Sequence, residues 1–87
     1  MIIKLSDLRE IQELVSNAFP NTSKCEVSVL SCDGNEFIKI TIVIDGQVSY
    51  FNRFMHDMGD WCQIIPNAVA RNAIEFFEST GITKVRK

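Results

Sequence analysis

The dipeptide Asp33-Gly34 constrains the fold of this chain more than any other feature of its sequence. It separates two runs of alternating residues, KCEVSVLSC and NEFIKITIVID. Asp-Gly in that setting is typical of a two-residue hairpin turn, because both turn positions need positive φ. Such a turn pairs Val29 with Ile38, and a slip of one residue would mix apolar with polar side chains on both faces. The sequence therefore predicts an antiparallel hairpin whose inner face carries Cys25, Val27, Val29, Ile38, Ile40, Ile42 and Ile44.

A second Asp-Gly pair, at 45–46, predicts another turn and a third strand, QVSYFNRF. Two registers are open for this strand. A two-residue turn directs Phe51 inward, whereas a three-residue loop with a bulge directs Val48 inward, opposite Ile44. The bulged form is favoured because it pairs one apolar side chain with another. The three strands then form an antiparallel meander.

Two segments with helical spacing flank the strands. SDLREIQELVSNAFP has one apolar face, with Ser6 or Asp7 as its cap and Pro20 as its stop. PNAVARNAIEFFESTG has Pro66 in its first turn and Gly81 just past its end. Because the sheet has one strongly apolar face, both helices should pack there. The predicted fold is α+β: an α-β-β-β-α two-layer sandwich, with a three-stranded antiparallel meander and two helices on one face.

Length and composition limit the remaining choices. A chain of 87 residues fits a single compact domain over 1–87. Nine Lys+Arg against eleven Asp+Glu are too balanced to indicate nucleic-acid binding by bulk charge. An odd number of cysteines, without a signal-peptide pattern or a membrane-length apolar run, predicts a cytoplasmic protein with reduced thiols and no membrane contact. Residues 1–5 and 82–87 can each form an extra strand or a tail, and the second segment is basic.

The stretch YFNRFMHDMGDWCQIIP, at 50–66, raises the question of a reactive site. His56, Asp57, Asp60 and Cys62 bring four side chains that can bind metal within seven residues. Zinc sites, however, use paired spacings that this stretch lacks. Cys62 with His56 is the only conventional pair of nucleophile and base, and no motif for an oxyanion hole or phosphate loop accompanies it. We therefore predict no enzymatic activity, no metal and no cofactor.

The opposite face of the predicted sheet indicates a contact surface instead. A solvent-facing sheet surface is normally polar, and a contiguous apolar patch usually marks a binding site. In the bulged register Phe51 would join this face, and the loop after it is rich in residues that are common at interfaces. A tail strand or the 55–65 loop could instead cover the face. The predicted interaction residues are Leu30, Phe37, Lys39, Thr41, Phe51, Met55, Met58 and Trp61.

The order helix, three strands, helix resembles that of the double-stranded-RNA-binding domain. The family's lysine cluster at the start of the second helix corresponds here to IPNAVARN, in which Arg71 is the sole cation. This resemblance implies a nucleic-acid-binding module, with Arg53, Arg71, Lys84, Arg86 and Lys87 as its cations. In size and architecture the chain is also similar to small phage-encoded inhibitors such as certain anti-CRISPR proteins.

Three functions follow from these patterns. The favoured one is a small non-enzymatic protein-binding module, either docking on another macromolecule or self-associating. It would act as an inhibitor, antitoxin, immunity protein or regulator, and could be encoded by a phage or mobile element. The first alternative is the nucleic-acid-binding module. The second is a thiol or metal enzyme centred on His56 and Cys62.

Overall fold

A computed structural model describes residues 4–54 and 66–81 of the chain. Within these residues the element order is α1 (Leu5–Ala18), β1 (Lys24–Cys32), β2 (Asn35–Ile44), β3 (Gln47–Phe54) and α2 (Pro66–Thr80). The strands form one antiparallel sheet in the order β1-β2-β3. The predicted α+β fold is thus confirmed. Neither of the two helices described has the length and hydrophobicity needed to cross a bilayer.

The core lies between one face of the sheet and the two helices. Ile38, Ile40 and Ile42 of β2 are fully buried, and they form one cluster with buried residues of α1 and α2. Val27 and Val29 of β1 pack against this cluster from the edge of the sheet. Both helices therefore cover the same face, because that face carries the isoleucine ladder. The members outside the sheet are Ile11 and Val15 of α1, Phe19 just after α1, and Val69, Ala70, Ala73 and Phe77 of α2.

The first hairpin has the predicted register. Asp33 and Gly34 both have positive φ, 51° and 81°, as a two-residue hairpin turn requires. Val29 is opposite Ile38, and the pairing continues without interruption from Cys32↔Asn35 to Lys24↔Val43. Alternation along these two strands sends the apolar set inward, so the inner face of the hairpin is as predicted.

The bulged register predicted for β3 is wrong. Asp45 and Gly46 have φ of 52° and 76°, so the second hairpin also has a two-residue turn. Val48 is opposite Val43 rather than Ile44 and points away from the helices, with 51% of its surface exposed. A two-residue turn places Asp45 and Gly46 at its two positive-φ positions. Val48 still pairs with an apolar residue, Val43, but on the face of the sheet opposite the helices.

Phe51 consequently lies on the inner face. It is opposite Ile40, and its ring centroid is 5.5 Å from that of Phe76 and 6.4 Å from that of Phe77 on α2. An aromatic ring buries more apolar surface against a helix than a valine can. The contact with α2 thus accounts for the register that places Phe51 inward.

The ends of the helices agree with prediction except at the start of α1. Lys4 is the N-cap and makes no side-chain capping bond, whereas Ser6 and Asp7 lie inside the first turn. The predicted cap is therefore wrong, although a carboxylate in the first turn still suits the helix dipole. α1 ends before Pro20 as expected, and Gly81, with φ of 77°, follows the end of α2. Of residues 1–5, for which an extra strand or a tail was predicted, Lys4 is the N-cap and Leu5 begins α1, so neither belongs to a strand. The alternatives for 1–3, 55–65 and 82–87 lie outside the described residues.

Candidate contact surface

The face of the sheet opposite the helices is called here the outer sheet face. Two-residue turns at both hairpins fix which side chains lie on it, since alternate residues of each strand point to the same side. Adjacent strands bring these side chains into four cross-strand rows, numbered from the first hairpin turn. The rows are Leu30-Phe37-Phe54, Ser28-Lys39-Asn52, Glu26-Thr41-Tyr50 and Lys24-Val43-Val48.

The first row is apolar, and the fourth is apolar at two of its three positions, with Lys24 as the third. In the first row the rings of Phe37 and Phe54 are in contact, with centroids 5.2 Å apart, and Leu30 beside them is 42% exposed. In the fourth row Val48 lies next to Val43, which is partly buried. Large apolar groups thus occupy both ends of the outer sheet face.

The two middle rows are polar. Lys39 lies at the centre, and its Nζ is 4.3 Å from the centroid of the Tyr50 ring, which is a cation–π contact. Tyr50 itself is half exposed. Near the fourth row, Lys24 Nζ is 3.0 Å from Glu26 Oε2, but both side chains are more than half exposed. Such a pair contributes little to stability because water screens it.

Four residues predicted for the contact surface lie together on the outer sheet face: Leu30, Phe37, Lys39 and Thr41. Phe51 does not, because it lies on the inner face against α2. The structure thus removes Phe51 from the predicted surface. Met55, Met58 and Trp61 lie outside the described residues.

The sequence reasoning missed Val48, Tyr50 and Phe54 as members of this surface. The signal that could have found them was the second Asp-Gly pair, whose two-residue turn puts all three on the outer side. The bulged register, which the sequence favours, directs Val48 inward instead. The result is a larger and more aromatic surface than the one predicted.

The described residues offer little conventional reactive chemistry. Among them, no group of three or more His, Cys, Asp or Glu is placed to hold a metal ion. Cys25 is half-buried, and this burial raises the pKa of its thiol. Cys32 is an exposed free cysteine beside the first turn. His56 and Cys62, the proposed base and nucleophile, lie outside the described residues, as do Asp57 and Asp60.

The cations named for nucleic-acid binding are dispersed where they are described. Arg53 is opposite Ile38 on the inner side of β3, and its Nε is buried without a hydrogen-bond partner among the described residues. Arg71 is exposed on α2. Lys84, Arg86 and Lys87 lie outside the described residues. Of the five cations predicted to bind nucleic acid, the described residues thus include one exposed arginine, Arg71.

Comparison with protein-family models, with curated proteins and with solved structures finds no match to this chain. The similarity to the double-stranded-RNA-binding domain therefore remains one of element order. Among the described residues, the outer sheet face is the surface with the largest group of exposed apolar side chains.

Proposed function

We propose that this chain is a small non-enzymatic protein-binding module that docks on another protein through the outer sheet face. It would act as an inhibitor, antitoxin, immunity protein or regulator. The observation that carries the proposal is the exposure of large apolar side chains on this one surface. Leu30, Val48 and Tyr50 are 42%, 51% and 50% exposed, and they account for three of the five exposed large hydrophobic residues in the described part of the chain.

Energetics supports a contact role for these side chains. A favourable cross-strand pair on a sheet stabilises the fold by only ~0.2–1 kcal/mol, so folding alone gives little reason to expose leucine, valine and tyrosine. An aromatic or apolar side chain that loses its contact with water in an interface can contribute ~2 kcal/mol or more to binding. Tyrosine and phenylalanine are also enriched at protein interfaces. The same side chains are therefore worth more in a contact than in the isolated sheet.

The arrangement of the face suits binding by occlusion. Backbone pairing across all three strands holds the side chains in fixed rows, so little conformational freedom is lost when a partner docks. The apolar ends would supply most of the affinity. Lys39, held over the Tyr50 ring at the centre, would favour partners with an acidic group at the matching position. A module of this kind acts by covering a partner's surface and makes or breaks no bond.

Affinity capture from the native host tests this proposal. The bait is the whole chain, compared with the double variant Leu30→Glu, Phe37→Glu. Leu5→Glu is the matched control, because Leu5 is 64% exposed but belongs to α1. We expect the wild-type and control baits to retain the same protein, and the double variant to lose it while keeping its circular dichroism spectrum.

Salt and nuclease separate this proposal from nucleic-acid binding. Affinity for nucleic acid falls steeply with salt, because phosphate contacts release counterions, whereas an apolar protein interface changes little. Capture that disappears with nuclease or at moderate salt would favour the nucleic-acid alternative and contradict our proposal. A folded double variant that retains the same protein would place the contact elsewhere. An unfolded double variant would mean that the chain buries this face itself.

A further inference from the structure

We infer that the outer sheet face is self-complementary and that a second copy of this chain occupies it, packed sheet against sheet about a two-fold axis. The inference rests on the proposed use of this face as a protein contact surface. It adds the identity of one occupant and the orientation in which that occupant docks. The order of the four rows and the positions of their charges support this pairing.

Closed symmetric dimers use a two-fold axis, which presents the same surface from both copies. Sheets that pack face to face in the aligned manner keep their strand directions within about 30° of each other, at a separation of about 10 Å. For such aligned sheets the two-fold axis runs either along the strands or across them. These two choices bring different rows together, and the charges on the face distinguish them.

An axis along the strands is unfavourable. It places each row on the same row of the partner and β2 on the partner's β2. Lys39, at the centre of the second row, would then face the partner's Lys39. Two like charges brought together and removed from water repel one another strongly, so this arrangement opposes association.

An axis across the strands reverses the order of the rows. The first row then covers the partner's fourth row, so that Phe37 meets the partner's Val43 and Phe54 meets the partner's Val48. Each of these contacts occurs twice by symmetry. Leu30 meets the partner's Lys24, whose aliphatic stem can cover it while the ammonium group stays in water. Apolar groups thus meet apolar groups at both ends of the interface.

The same axis also matches the charges at the centre. The second row covers the partner's third row, so Lys39 meets the partner's Thr41, with the partner's Glu26 one strand away. A spacing of ~4.8 Å between strands brings that carboxylate within reach of the flexible lysine side chain. Lys39 is then opposite a hydroxyl and beside the carboxylate of the partner's Glu26, whose exposed ion pair with Lys24 of its own copy leaves a second oxygen to accept from Lys39. When the four rows of one copy face the four rows of the other in reverse order, apolar side chains therefore meet apolar ones and opposite charges lie close together.

The size of the face indicates a reversible dimer. Three strands ~4.8 Å apart and four rows ~6.8 Å apart cover roughly 400 Å² on each copy. Two copies would bury about 800 Å² in total, which is less than the ~1,200 Å² at the lower end of stable interfaces. We therefore expect association that depends on concentration in the micromolar range or above.

Sedimentation velocity with charge-swapped variants tests the inference. The whole chain is examined from about 1 μM to about 1 mM, which spans the expected range of dissociation constants. Lys39→Glu and Glu26→Lys each create like charges across the interface, and each should raise the dissociation constant by about tenfold or more. The double variant Lys39→Glu, Glu26→Lys restores opposite charges and should recover most of the lost affinity. Arg71→Glu and Glu10→Lys, at exposed helix positions, are matched controls that should change it little.

Recovery in the double variant supports the dimer with its axis across the strands. A wild-type chain that stays monomeric throughout the range overturns the inference, as does a dimer that ignores both single changes or is not recovered in the double variant. A monomeric chain that still captures a host protein through Leu30 and Phe37 refutes self-association and leaves the proposed function intact. A dimer that behaves as expected, but captures no host protein, contradicts the proposed function alone.

Discussion

At the scale of single residues, four turn positions decide how the sheet is assembled. Asp33, Gly34, Asp45 and Gly46 all have positive φ, a conformation that aspartate tolerates, glycine adopts freely and β-branched residues resist. A Cβ atom added at Gly34 would meet no atom within 4 Å. The cost of a substitution there is therefore a cost of backbone conformation, without a steric clash with the rest of the fold.

Gly34→Val should destabilise the protein by more than ~1 kcal/mol, because a β-branched residue fits positive φ poorly. Gly34→Asn is the matched control, since asparagine tolerates this conformation, and it should cost only a small part of that amount. The measurement is the free energy of unfolding from urea denaturation. Equal stability of the valine variant and the wild type would contradict the turn and the register that follows from it.

Two cysteines of the sheet should differ in reactivity. Burial raises the pKa of the Cys25 thiol, so at neutral pH it holds its proton and presents little of the nucleophilic thiolate. Its Sγ also lies 3.8 Å from the carbonyl oxygen of Gln12, whereas Cys32 is exposed. We expect iodoacetamide to modify Cys32 well before Cys25 in the native protein, and the rate at Cys25 to keep rising into alkaline pH. Peptide mapping by mass spectrometry measures both rates, and equal labelling at neutral pH would show that Cys25 is not buried.

At the scale of elements, the two hairpins differ in how far the sequence determines them. The register of β1 and β2 is predictable because a slip would expose Ile38, Ile40 and Ile42 to water. The sequence of β3 has apolar side chains on both faces, with Val48 and Tyr50 on one and Phe51 on the other. The contact of Phe51 with α2, which is distant along the chain, decides which of the two faces points toward the helices and therefore which register β3 adopts. A pattern within the strand does not contain that information.

The same difference explains how much of the outer sheet face was predictable. Leu30, Phe37, Lys39 and Thr41 follow from the first hairpin, whose register is determined locally. The misplaced Phe51 and the missed residues of β3 follow from the second hairpin, whose register depends on tertiary packing. The cap of α1 was predicted wrongly for a different reason. Side chains that cap a helix are preferred at its start but are not required there, so a serine or aspartate near the start need not be the cap.

Adjacent residues on β3 test the corrected register. Phe51→Ala should cost about 2 kcal/mol, less than the ~3–5 kcal/mol typical of a fully buried phenylalanine, because Phe51 is only half-buried. Tyr50→Ala, one residue away on the outer sheet face, should cost less than ~1 kcal/mol. Urea denaturation compares the two. A larger loss for the tyrosine variant would mean that the bulged register is correct after all.

At the scale of the whole molecule, the described part of the fold is a two-layer sandwich with unlike faces. The helices cover the isoleucine face, while the outer sheet face has apolar side chains at both ends of a polar centre. A domain below ~100 residues buries a smaller fraction of its surface than a large one, so its stability gains most from a partner. A second sheet on the outer face would supply a third layer and cover those apolar side chains. Contact through this face would therefore serve both stability and function.

The most direct test of this account is a dilution series followed by backbone amide NMR. Between about 1 mM and about 20 μM, a range that covers a weak dimer, we predict concentration-dependent shifts confined to the outer sheet face. They should include Phe37, Lys39 and Val43, leave the exposed helix residues Leu5 and Arg71 unchanged, and move to about tenfold higher concentration in Lys39→Glu. Shifts grouped on the helices, or a spectrum that does not change with concentration, would contradict self-association through this surface.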